Sequence, residues 1–243
     1  MNQRVIVITG ASGGIGEELA KQVFAAGGKP VLVARRAEAL AQVSAACGGA
    51  LGIAADVTKR SEVERVVRET LVKEGRIDVW VNNVGRGISR APSQLTDEDL
   101  DEMMLINVKS ALYGMQAVLP HFKERGDGHL INVSSMLGRV PFALPRAAYS
   151  GSKHFLNALT ANFRAEVQAT HPRIMVSLFS PGAVATDFGK NALHGGQDNR
   201  ALPNVQDPAE VAAVMVQLIK EPKPDVYSRP GFRETVVDYF ARL

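Results

Sequence analysis

The chain has 243 residues, of which 46% are hydrophobic and 22% charged, a composition typical of a globular protein with a large core. Its formal net charge of +3 is spread out without a basic run, which argues against nucleic-acid and polybasic membrane partners. Cys47 is the only cysteine, so no internal disulfide and no zinc site is expected. The first apolar run, Val5–Ile8, is too short for a signal peptide or a membrane span. We therefore expect a cytoplasmic protein.

Short apolar runs alternate with longer helical patterns along almost the whole chain. The runs are rich in β-branched residues and predict strands at Val5–Thr9, Val31–Ala34, Leu51–Ala55, Val79–Val81, His129–Ser134 and Met175–Ser180. The longer patterns predict helices at Ile15–Ala26, Ala37–Ala46, Ser61–Lys73, Asp97–Val118, Ala147–Ala169 and Ala209–Ile219. This alternation predicts an α/β fold, a doubly wound parallel sheet with helices on both faces, in one domain over residues 1–243.

Two stretches depart from the alternation. Phe188–Val205 is rich in Gly, Asn and Pro, and such a long irregular segment is usually a functional lid or a poorly ordered loop. We expect it to border a substrate site. Glu221–Pro230 contains three prolines, with a short strand expected near Asp225–Ser228. A final amphipathic helix is expected over Phe232–Leu243.

A glycine-rich stretch, Thr9–Gly16, follows the first strand and opens the first helix. Such glycines let the chain turn sharply and approach a pyrophosphate, while the helix N-terminus offers unpaired N–H groups. A simple turn is the alternative, but the place at the first strand–helix junction favours a dinucleotide site. The expected cofactor contacts here are Gly10, Ser12, Gly13, Gly14, Ile15 and Gly16.

The second predicted strand ends at Ala34, where an NAD-preferring site usually carries an acidic residue for the ribose 2′-hydroxyl. Arg35 and Arg36 follow at once, and guanidinium groups pair bidentately with phosphate. The sequence therefore predicts NADP(H), with solvated arginines at a helix start as the alternative. Asp56 follows the third strand and would accept from the adenine amino group, or only cap the next helix.

Tyr149 and Lys153 stand four residues apart in a helical pattern, so they share one helix face. A free tyrosine has a pKa of about 10, and a nearby ammonium favours the phenolate and lowers that value. A lowered value suits a group that both gives and takes a proton. The pair alone is weak evidence because polar pairs at this spacing are common on solvated helices.

Taken together, these motifs resemble the short-chain dehydrogenase/reductase family over roughly Val5 to Thr186. The matching pieces are Thr9–Gly16, Asp56-Val57, Asn82-Asn83-Val84-Gly85, Asn107, Ser134-Ser135, Tyr149–Lys153 and Pro181-Gly182 with Thr186. The resemblance implies a Rossmann fold and an NADP-dependent oxidoreductase that moves a hydride between the nicotinamide and a carbonyl or secondary alcohol. Two features depart from the family pattern. Val84 replaces the usual alanine, and the hydrophobic strand and Asp-Gly-Gly ending common at the family's C-terminus are missing.

The resemblance also implies roles for single residues. Tyr149 would be the acid/base, and Ser135 would stabilise the charge on the same substrate oxygen. Lys153 would lower the tyrosine pKa and hold the nicotinamide ribose, while Asn107 would hold a water that links Lys153 to solvent. Ser134 competes for the serine role, but Ser135 has the family's x-x-Gly spacing after it. The further implied cofactor contacts are Val57, Asn83, Gly85, Pro181, Gly182, Val184 and Thr186.

Two other functions stay open at this point. The first is an NAD-dependent alcohol dehydrogenase. The second is a non-catalytic protein of the same fold that senses NADP, because a fold does not determine a function. Such proteins tend to lose a member of the Ser-Tyr-Lys set, which this chain keeps. No cluster of histidines and carboxylates suggests a metal.

The substrate site should be framed by Arg86–Ser89, Leu137–Arg146 and Phe188–Val205. An apolar lining is suggested by Met136, Leu137, Val140, Phe142 and Leu144. Three arginines would instead recognise an acidic substrate group, or would be solvated: Arg86, Arg139 and Arg146. We expect a homodimer through Leu105–Phe122 and Ala147–Ala169, the family's common pairing. The atypical C-terminus leaves a tetramer in doubt.

Overall fold

The computed structural model describes residues 1–242, whose strands form one parallel sheet. The strands are β1 Val5–Thr9, β2 Lys29–Ala34, β3 Gly52–Ala54, β4 Val79–Asn82, β5 Gly128–Val133, β6 Ile174–Ser180 and β7 Asp225–Tyr227. Their order in the sheet is β3-β2-β1-β4-β5-β6-β7, and each neighbouring pair is parallel. The predicted doubly wound α/β fold is confirmed.

Helices cover both faces of this sheet. They are α1 Gly14–Ala25, α2 Ala37–Ala46, α3 Arg60–Glu74, α4 Asp97–Met104, α5 Ser110–Arg125, α6 Ala147–Thr170, α7 Pro208–Lys220 and α8 Phe232–Ala241. One core cluster packs α1, α2 and α7 against Ile6 and Ile8. The other packs α3, α5 and α6 against Val5 and Val7. Successive residues of β1 thus enter opposite cores, as expected for a strand buried on both faces.

The prediction of one α-helix over Asp97–Val118 is wrong in two respects. A π-helical turn, Leu105–Lys109, separates α4 from α5, and α5 continues through Pro120 to Arg125. The buried ring of Phe122 anchors this last turn, so the hydrogen bond lost at the proline does not end the helix. An inserted residue in a helix is a local change that apolar spacing does not reveal.

The other element bounds differ little from the prediction. Strand β2 begins at Lys29 and includes Pro30, which precedes the stretch paired with β3 and therefore lies where one side of β2 is open. The remaining strand ends shift by at most one residue, and the other helix ends by at most two, as at the frayed ends of most elements. The short strand expected near Asp225–Ser228 is confirmed as β7. Leu243, the predicted end of the last helix, lies outside the described residues.

A buried chain of side-chain amides joins the centre of the sheet to the helices on one face. Asn82 of β4 donates to the Asn132 carboxamide of β5 at 2.8 Å and accepts from the Trp80 indole at 2.7 Å. Asn132 in turn donates to the Thr160 hydroxyl of α6 at 2.9 Å. Buried polar groups must be paired, so this chain sets the position of α6 against β5.

Across residues 1–242, none of the helices combines the length and apolar character needed to cross a membrane. The cytoplasmic location expected from the sequence stays a prediction.

Candidate active site and cofactor cleft

The sequence motifs meet at the carboxyl edge of the sheet. Thr9 ends β1, while Asn83, Ser134 and Pro181 directly follow β4, β5 and β6. Strand β1 connects to β2 on one side, and β4 connects to β5 on the other, so the strand order reverses between β1 and β4. In open α/β sheets a ligand binds in the crevice outside such a reversal.

The glycine turn after β1 has the geometry of a phosphate-binding loop. Gly10 and Gly14 have φ angles of +68° and +57°, which residues with a side chain rarely adopt. A Cβ on Gly16 would lie 2.3 Å from the carbonyl oxygen of Gly10, so only glycine allows α1 to start this close to the turn. The amide of Asn83 holds the turn from the other side by donating to the carbonyl of Thr9 at 3.0 Å. These residues fit a dinucleotide pyrophosphate at the N-terminus of α1.

Both arginines after β2 are exposed, and one of them contacts the glycine turn. The Arg36 guanidinium donates to the carbonyl of Ser12 at 3.1 Å and to its hydroxyl at 3.3 Å. Asp56 accepts from the backbone N–H of Thr58 at 3.1 Å and from its hydroxyl at 2.7 Å. One Asp56 oxygen therefore organises the turn before α3. The Val57 side chain is buried in the core, and its predicted cofactor contact stays a prediction.

The segment after β6 runs back toward the glycine turn. A Cβ on Gly14 would lie 3.0 Å from the methyl carbon of Thr186, so these two segments approach closely. Gly182 donates from its backbone to the Ser228 hydroxyl at 3.3 Å. A Cβ on Gly182 would lie 2.7 Å from the ring of Phe232 in α8. The C-terminal helix thus closes one side of the cleft.

Tyr149 lies in the first turn of α6 and is 6% exposed. Its ring packs edge-on against that of Phe188, with centroids 5.5 Å apart. Burial raises the pKa of Tyr149 to about 12, against the opposing effects of the Ser135 hydroxyl and the Arg146 charge. The lowered pKa expected from the i,i+4 ammonium is therefore wrong for this arrangement, because removing the phenol from water outweighs its favourable neighbours.

Lys153 lies one turn further along α6 and is 3% exposed. Its ammonium donates to the backbone carbonyl of Val133 at 2.9 Å and lies 5.8 Å from the centroid of the Tyr149 ring. Burial lowers the pKa of Lys153 to about 7. A Cβ on Gly85 would lie 3.4 Å from the Lys153 ammonium, so glycine leaves room beside this cation.

The two serines after β5 have different environments. The Ser134 hydroxyl donates to the Asn157 carboxamide, which itself donates to the carbonyl of Gly138 at 2.6 Å. Ser134 is thus part of a structural link between β5 and α6. The Ser135 hydroxyl accepts from the Leu137 N–H at 3.1 Å. The same hydroxyl lowers the pKa of Tyr149, in part against the effect of burial. Of the two serines, Ser135 is therefore the one that acts on the pKa of the phenol.

Asn107 lies in the π-helical turn and is 1% exposed. Its carbonyl accepts from the backbone N–H of Arg86 at 2.8 Å, and its amide donates to the Arg86 carbonyl at 3.0 Å and the Ser152 hydroxyl at 3.1 Å. These three hydrogen bonds of Asn107 hold the segment after β4 against α6. A Cβ on Gly85 would be 3.3 Å from the Asn107 carbonyl, on the same small space that borders Lys153. The water that would link them stays a prediction.

Two of the three arginines near the expected substrate site are paired with carboxylates. Arg86 bonds Glu102 at 2.5 Å, and Arg139 bonds Asp225. Arg146 instead donates to a backbone carbonyl at 3.0 Å. The sequence did not distinguish these three residues, because the acidic partners of Arg86 and Arg139 come from other parts of the chain.

The predicted apolar lining divides into buried and exposed residues. Val140 is fully buried and Met136 is 8% exposed, and their place in the substrate lining stays a prediction. Phe142 is 59% exposed and Leu144 is 68% exposed, both on the segment before α6. Phe142 packs edge-on against Tyr239 of α8, with ring centroids 5.5 Å apart.

The irregular segment Phe188–Val205 is held by specific contacts. Asn199 is buried and donates to the carbonyl of Val184 at 3.1 Å. His194 contacts the Asp99 carboxylate at 2.6 Å, which ties this segment to the first turn of α4. No role for His194 was predictable from the sequence, since its partner Asp99 is distant along the chain.

Sequence reasoning missed two supporting residues of α6, Ser152 and Asn157. Asn157 is four residues after Lys153 and Ser152 is three after Tyr149, so helical spacing places them on the same buried face. That spacing is the signal that would have found them. Within the described part of the chain, no group of three or more histidines, cysteines and carboxylates is placed to hold a metal ion.

The sequence profile of the short chain dehydrogenase family matches residues 4–196. The chain belongs to the short-chain dehydrogenase family. This short-chain dehydrogenase is 36% identical over 190 residues to an uncharacterized oxidoreductase of Staphylococcus saprophyticus, with 77% of each chain covered. The family and the general class of oxidoreductase are thereby established.

Two solved structures similar to this short-chain dehydrogenase contain nicotinamide cofactors. One is a 3-ketoacyl-(acyl-carrier-protein) reductase from Brucella melitensis complexed with NADH, at 25% identity and a TM-score of 0.83. The other is an alcohol dehydrogenase from Thermococcus sibiricus complexed with 5-hydroxy-NADP, at 26% identity and a TM-score of 0.79. Each comparison covers 93% of this chain and 96% of the other. The similar fold accommodates both kinds of nicotinamide cofactor.

Proposed function

We propose that this short-chain dehydrogenase is an NADP(H)-dependent oxidoreductase acting on a carbonyl or a secondary alcohol, with Tyr149 as the acid/base. The observation that carries the proposal is the meeting of Tyr149, Ser135 and Lys153 at the carboxyl end of β5, on the cleft that the glycine turn borders. A solvated helix pair would not place the phenol and the ammonium in a buried position.

The three side chains divide the proton chemistry. Tyr149 gives its proton to the substrate oxygen during reduction and takes it back during oxidation. The Ser135 hydroxyl donates to the same oxygen and stabilises the charge that develops there. Lys153, with a pKa of about 7, exchanges protons readily at neutral pH and supplies positive charge next to the phenol. A nicotinamide bound in the cleft supplies or accepts the hydride.

The cofactor preference rests on the residues after β2. Arg35 and Arg36 are exposed where the adenosine ribose of a dinucleotide would lie, and Arg36 contacts Ser12 of the glycine turn. No acidic side chain stands at Ala34 to hold a 2′-hydroxyl. The two arginines and the missing acidic residue favour NADP(H) over NAD(H). Asp56 uses one carboxylate oxygen for Thr58, so its other oxygen would accept from the adenine amino group.

The direct test is a screen of ketones and aldehydes with NADPH and NADH, following cofactor absorbance. We expect oxidation of NADPH with at least one carbonyl, and a much weaker rate with NADH. Turnover with NADH alone would favour the NAD-dependent alternative. Tight binding of NADPH without turnover over a broad panel would favour a sensing protein.

We also propose a homodimer in which α5 and α6 pair with their copies. These helices border an apolar groove that includes Leu112, Leu119 and Leu159. Phe155 precedes Leu159 by one turn of α6 and is half exposed, which extends the apolar stripe. Light scattering should give twice the chain mass, and Phe155→Glu with Leu159→Glu should shift it toward the monomer. An unchanged mass would place the interface elsewhere.

The organisation of the chain supports one functional domain over residues 1–243, since the strands of the described residues share one sheet. Phe188–Val205 would border the substrate, because Phe188 packs on Tyr149.

A further inference from the structure

Arg146 differs from the other arginines of the site in having no carboxylate partner among residues 1–242. Arg86 and Arg139 are each neutralised by an acidic side chain. Arg146 uses one of its N–H groups to bond the carbonyl of Ile88 at 3.0 Å. A guanidinium has five N–H donors, so most of its hydrogen-bonding capacity remains for another group.

Two glycines and a hydroxyl lie close to the Arg146 guanidinium. A Cβ on Gly87 would lie 2.6 Å from one terminal nitrogen, and a Cβ on Gly196 would lie 3.1 Å from the other. The same Cβ on Gly196 would be 3.0 Å from the Ser89 hydroxyl, so Ser89 and Arg146 lie on one side of this glycine. The chain thus has two glycines and a hydroxyl around a half-buried cation.

This cation lies close to the reacting phenol. Arg146 precedes Tyr149 by three residues at the start of α6. The ring of Phe188 packs on Tyr149 and also approaches Gly87, 3.0 Å from where its Cβ would be, next to the Arg146 nitrogen. The Arg146 guanidinium and the Phe188 ring therefore both lie next to Gly87, and the same ring packs on the phenol.

The electrostatics favour an anion at this position. Burial lowers the pKa of Arg146, since a cation is being taken out of water without a neighbouring carboxylate. A half-buried guanidinium gains most from a planar anion that accepts two hydrogen bonds at once. One unpaired positive charge matches one negative charge, which fits a carboxylate better than a doubly charged phosphate.

We propose that Arg146, assisted by Ser89, binds a carboxylate of the substrate, so that the carbonyl compound reduced here is an oxo acid. This inference rests on the proposed oxidoreductase function and names the substrate class of the same site. Arg146 would then set specificity, while Tyr149 carries out the proton transfer. The distance between carboxylate and carbonyl decides which oxo acid fits.

The test compares each of several 2-, 3- and 4-oxo acids with its methyl ester as substrates of the whole protein with NADPH. We expect one oxo acid to exceed its ester in kcat/KM. In Arg146→Gln we expect kcat/KM for the acid to fall about 10- to 100-fold further than kcat/KM for the ester, mainly through KM. The ester should lose only the effect of the Arg146 charge on Tyr149. Arg146→Lys should recover part of the loss. Arg68→Gln, at an exposed arginine of α3, is the matched control for lost charge.

A second measurement needs no variant. Propionate should inhibit the reduction of a neutral ester by the unmodified protein competitively, and propionamide should inhibit far less. Equal loss with acid and ester in Arg146→Gln, or equal inhibition by propionate and propionamide, would overturn the carboxylate site while leaving the oxidoreductase proposal standing. If no carbonyl of either kind is reduced, the proposed function fails and this inference fails with it.

Discussion

The Lys153 ammonium donates a hydrogen bond to the backbone carbonyl of Val133, at 2.9 Å, and so ties α6 to the last residue of β5. Ser134 and Ser135 directly follow Val133, and Tyr149 lies one turn before Lys153. This one contact therefore holds the serine pair and the phenol in a common frame. Lys153 is buried in this position, and its burial lowers its pKa.

Tyr149→Phe tests the acid/base role with a minimal change. The variant keeps the ring that packs on Phe188 and loses only the hydroxyl. We expect kcat to fall about 100- to 10,000-fold because no group remains to transfer the proton. The dissociation constant for NADPH, measured by fluorescence, should stay within about twofold. Tyr113→Phe on α5 is the matched control, and retained turnover in Tyr149→Phe would remove Tyr149 from the mechanism.

Ser135→Ala and Ser134→Ala should separate chemistry from stability. Ser135→Ala should lower kcat about 100-fold or more through loss of a donor to the substrate oxygen. Ser134→Ala leaves the Asn157 carboxamide without its donor and should lower the free energy of unfolding by about 1–3 kcal/mol. Its kcat should change by less than about fivefold. Steady-state kinetics and urea unfolding measure the two effects, and the reverse pattern would exchange the roles of the serines.

Arg35→Ala and Arg36→Ala should change the cofactor preference. Each arginine that meets the 2′-phosphate makes a charge-assisted hydrogen bond worth about 1.5–3 kcal/mol. We expect the double variant to bind NADPH at least tenfold more weakly, with NADH affinity changed by less than about threefold. Arg68→Ala controls for general loss of positive charge. Parallel weakening of both cofactors would indicate that these arginines only support the glycine turn.

Gly16→Ala should damage the glycine turn, because the new methyl group would lie 2.3 Å from the Gly10 carbonyl oxygen. We expect a destabilisation of about 1–3 kcal/mol and weaker cofactor binding. Gly151→Ala is the matched control in α6. A Cβ there meets no atom within 4 Å, so alanine should stabilise the helix by up to about 1 kcal/mol. Thermal unfolding with and without NADPH measures the stability and the cofactor binding of each variant. Equal stability and equal NADPH binding in Gly16→Ala and Gly151→Ala would argue against a crowded turn.

Lys153→Met should change how stability depends on pH. In the folded chain the pKa of Lys153 is lowered from 10.5 to about 7, so between these values the unfolded chain binds more protons. Above about pH 10.5 Lys153 is neutral in both states and does not lower the free energy of unfolding. As pH falls toward 7, the unfolded chain takes up the proton first, and the free energy of unfolding decreases. Relative to the variant, the natural protein should gain up to about 1.4 kcal/mol per pH unit on going upward.

Urea unfolding between pH 7 and 9.5 measures that slope before the raised pKa of Tyr149 contributes. The loss of the donor to Val133 adds an offset that does not vary with pH. If the unfolding free energies of the natural protein and of Lys153→Met stay parallel over this pH range, Lys153 keeps its ordinary pKa in the folded chain.

The motifs that the sequence identified are local in origin. The order of strands and helices follows from β-branched runs and amphipathic spacing, and both are read within one element. The glycine turn and the pair at positions 149 and 153 are also local, since a turn and one helical repeat set their geometry. Asn107 was found through its place in the family pattern, but its π-helical turn was not, because an inserted residue leaves the composition of the helix unchanged.

The sequence by itself thus determined the doubly wound fold and the family, and it supplied the candidate residues for the cleft. Only the tertiary structure decided how those residues act on one another. Burial raises the pKa of Tyr149 where helical spacing alone predicted a lowered value, because desolvation depends on everything that packs around the ring. In the same way, Arg86 and Arg139 meet carboxylates from other segments, and Arg146 meets none among residues 1–242, since ion pairing depends on which parts of the chain the fold brings together.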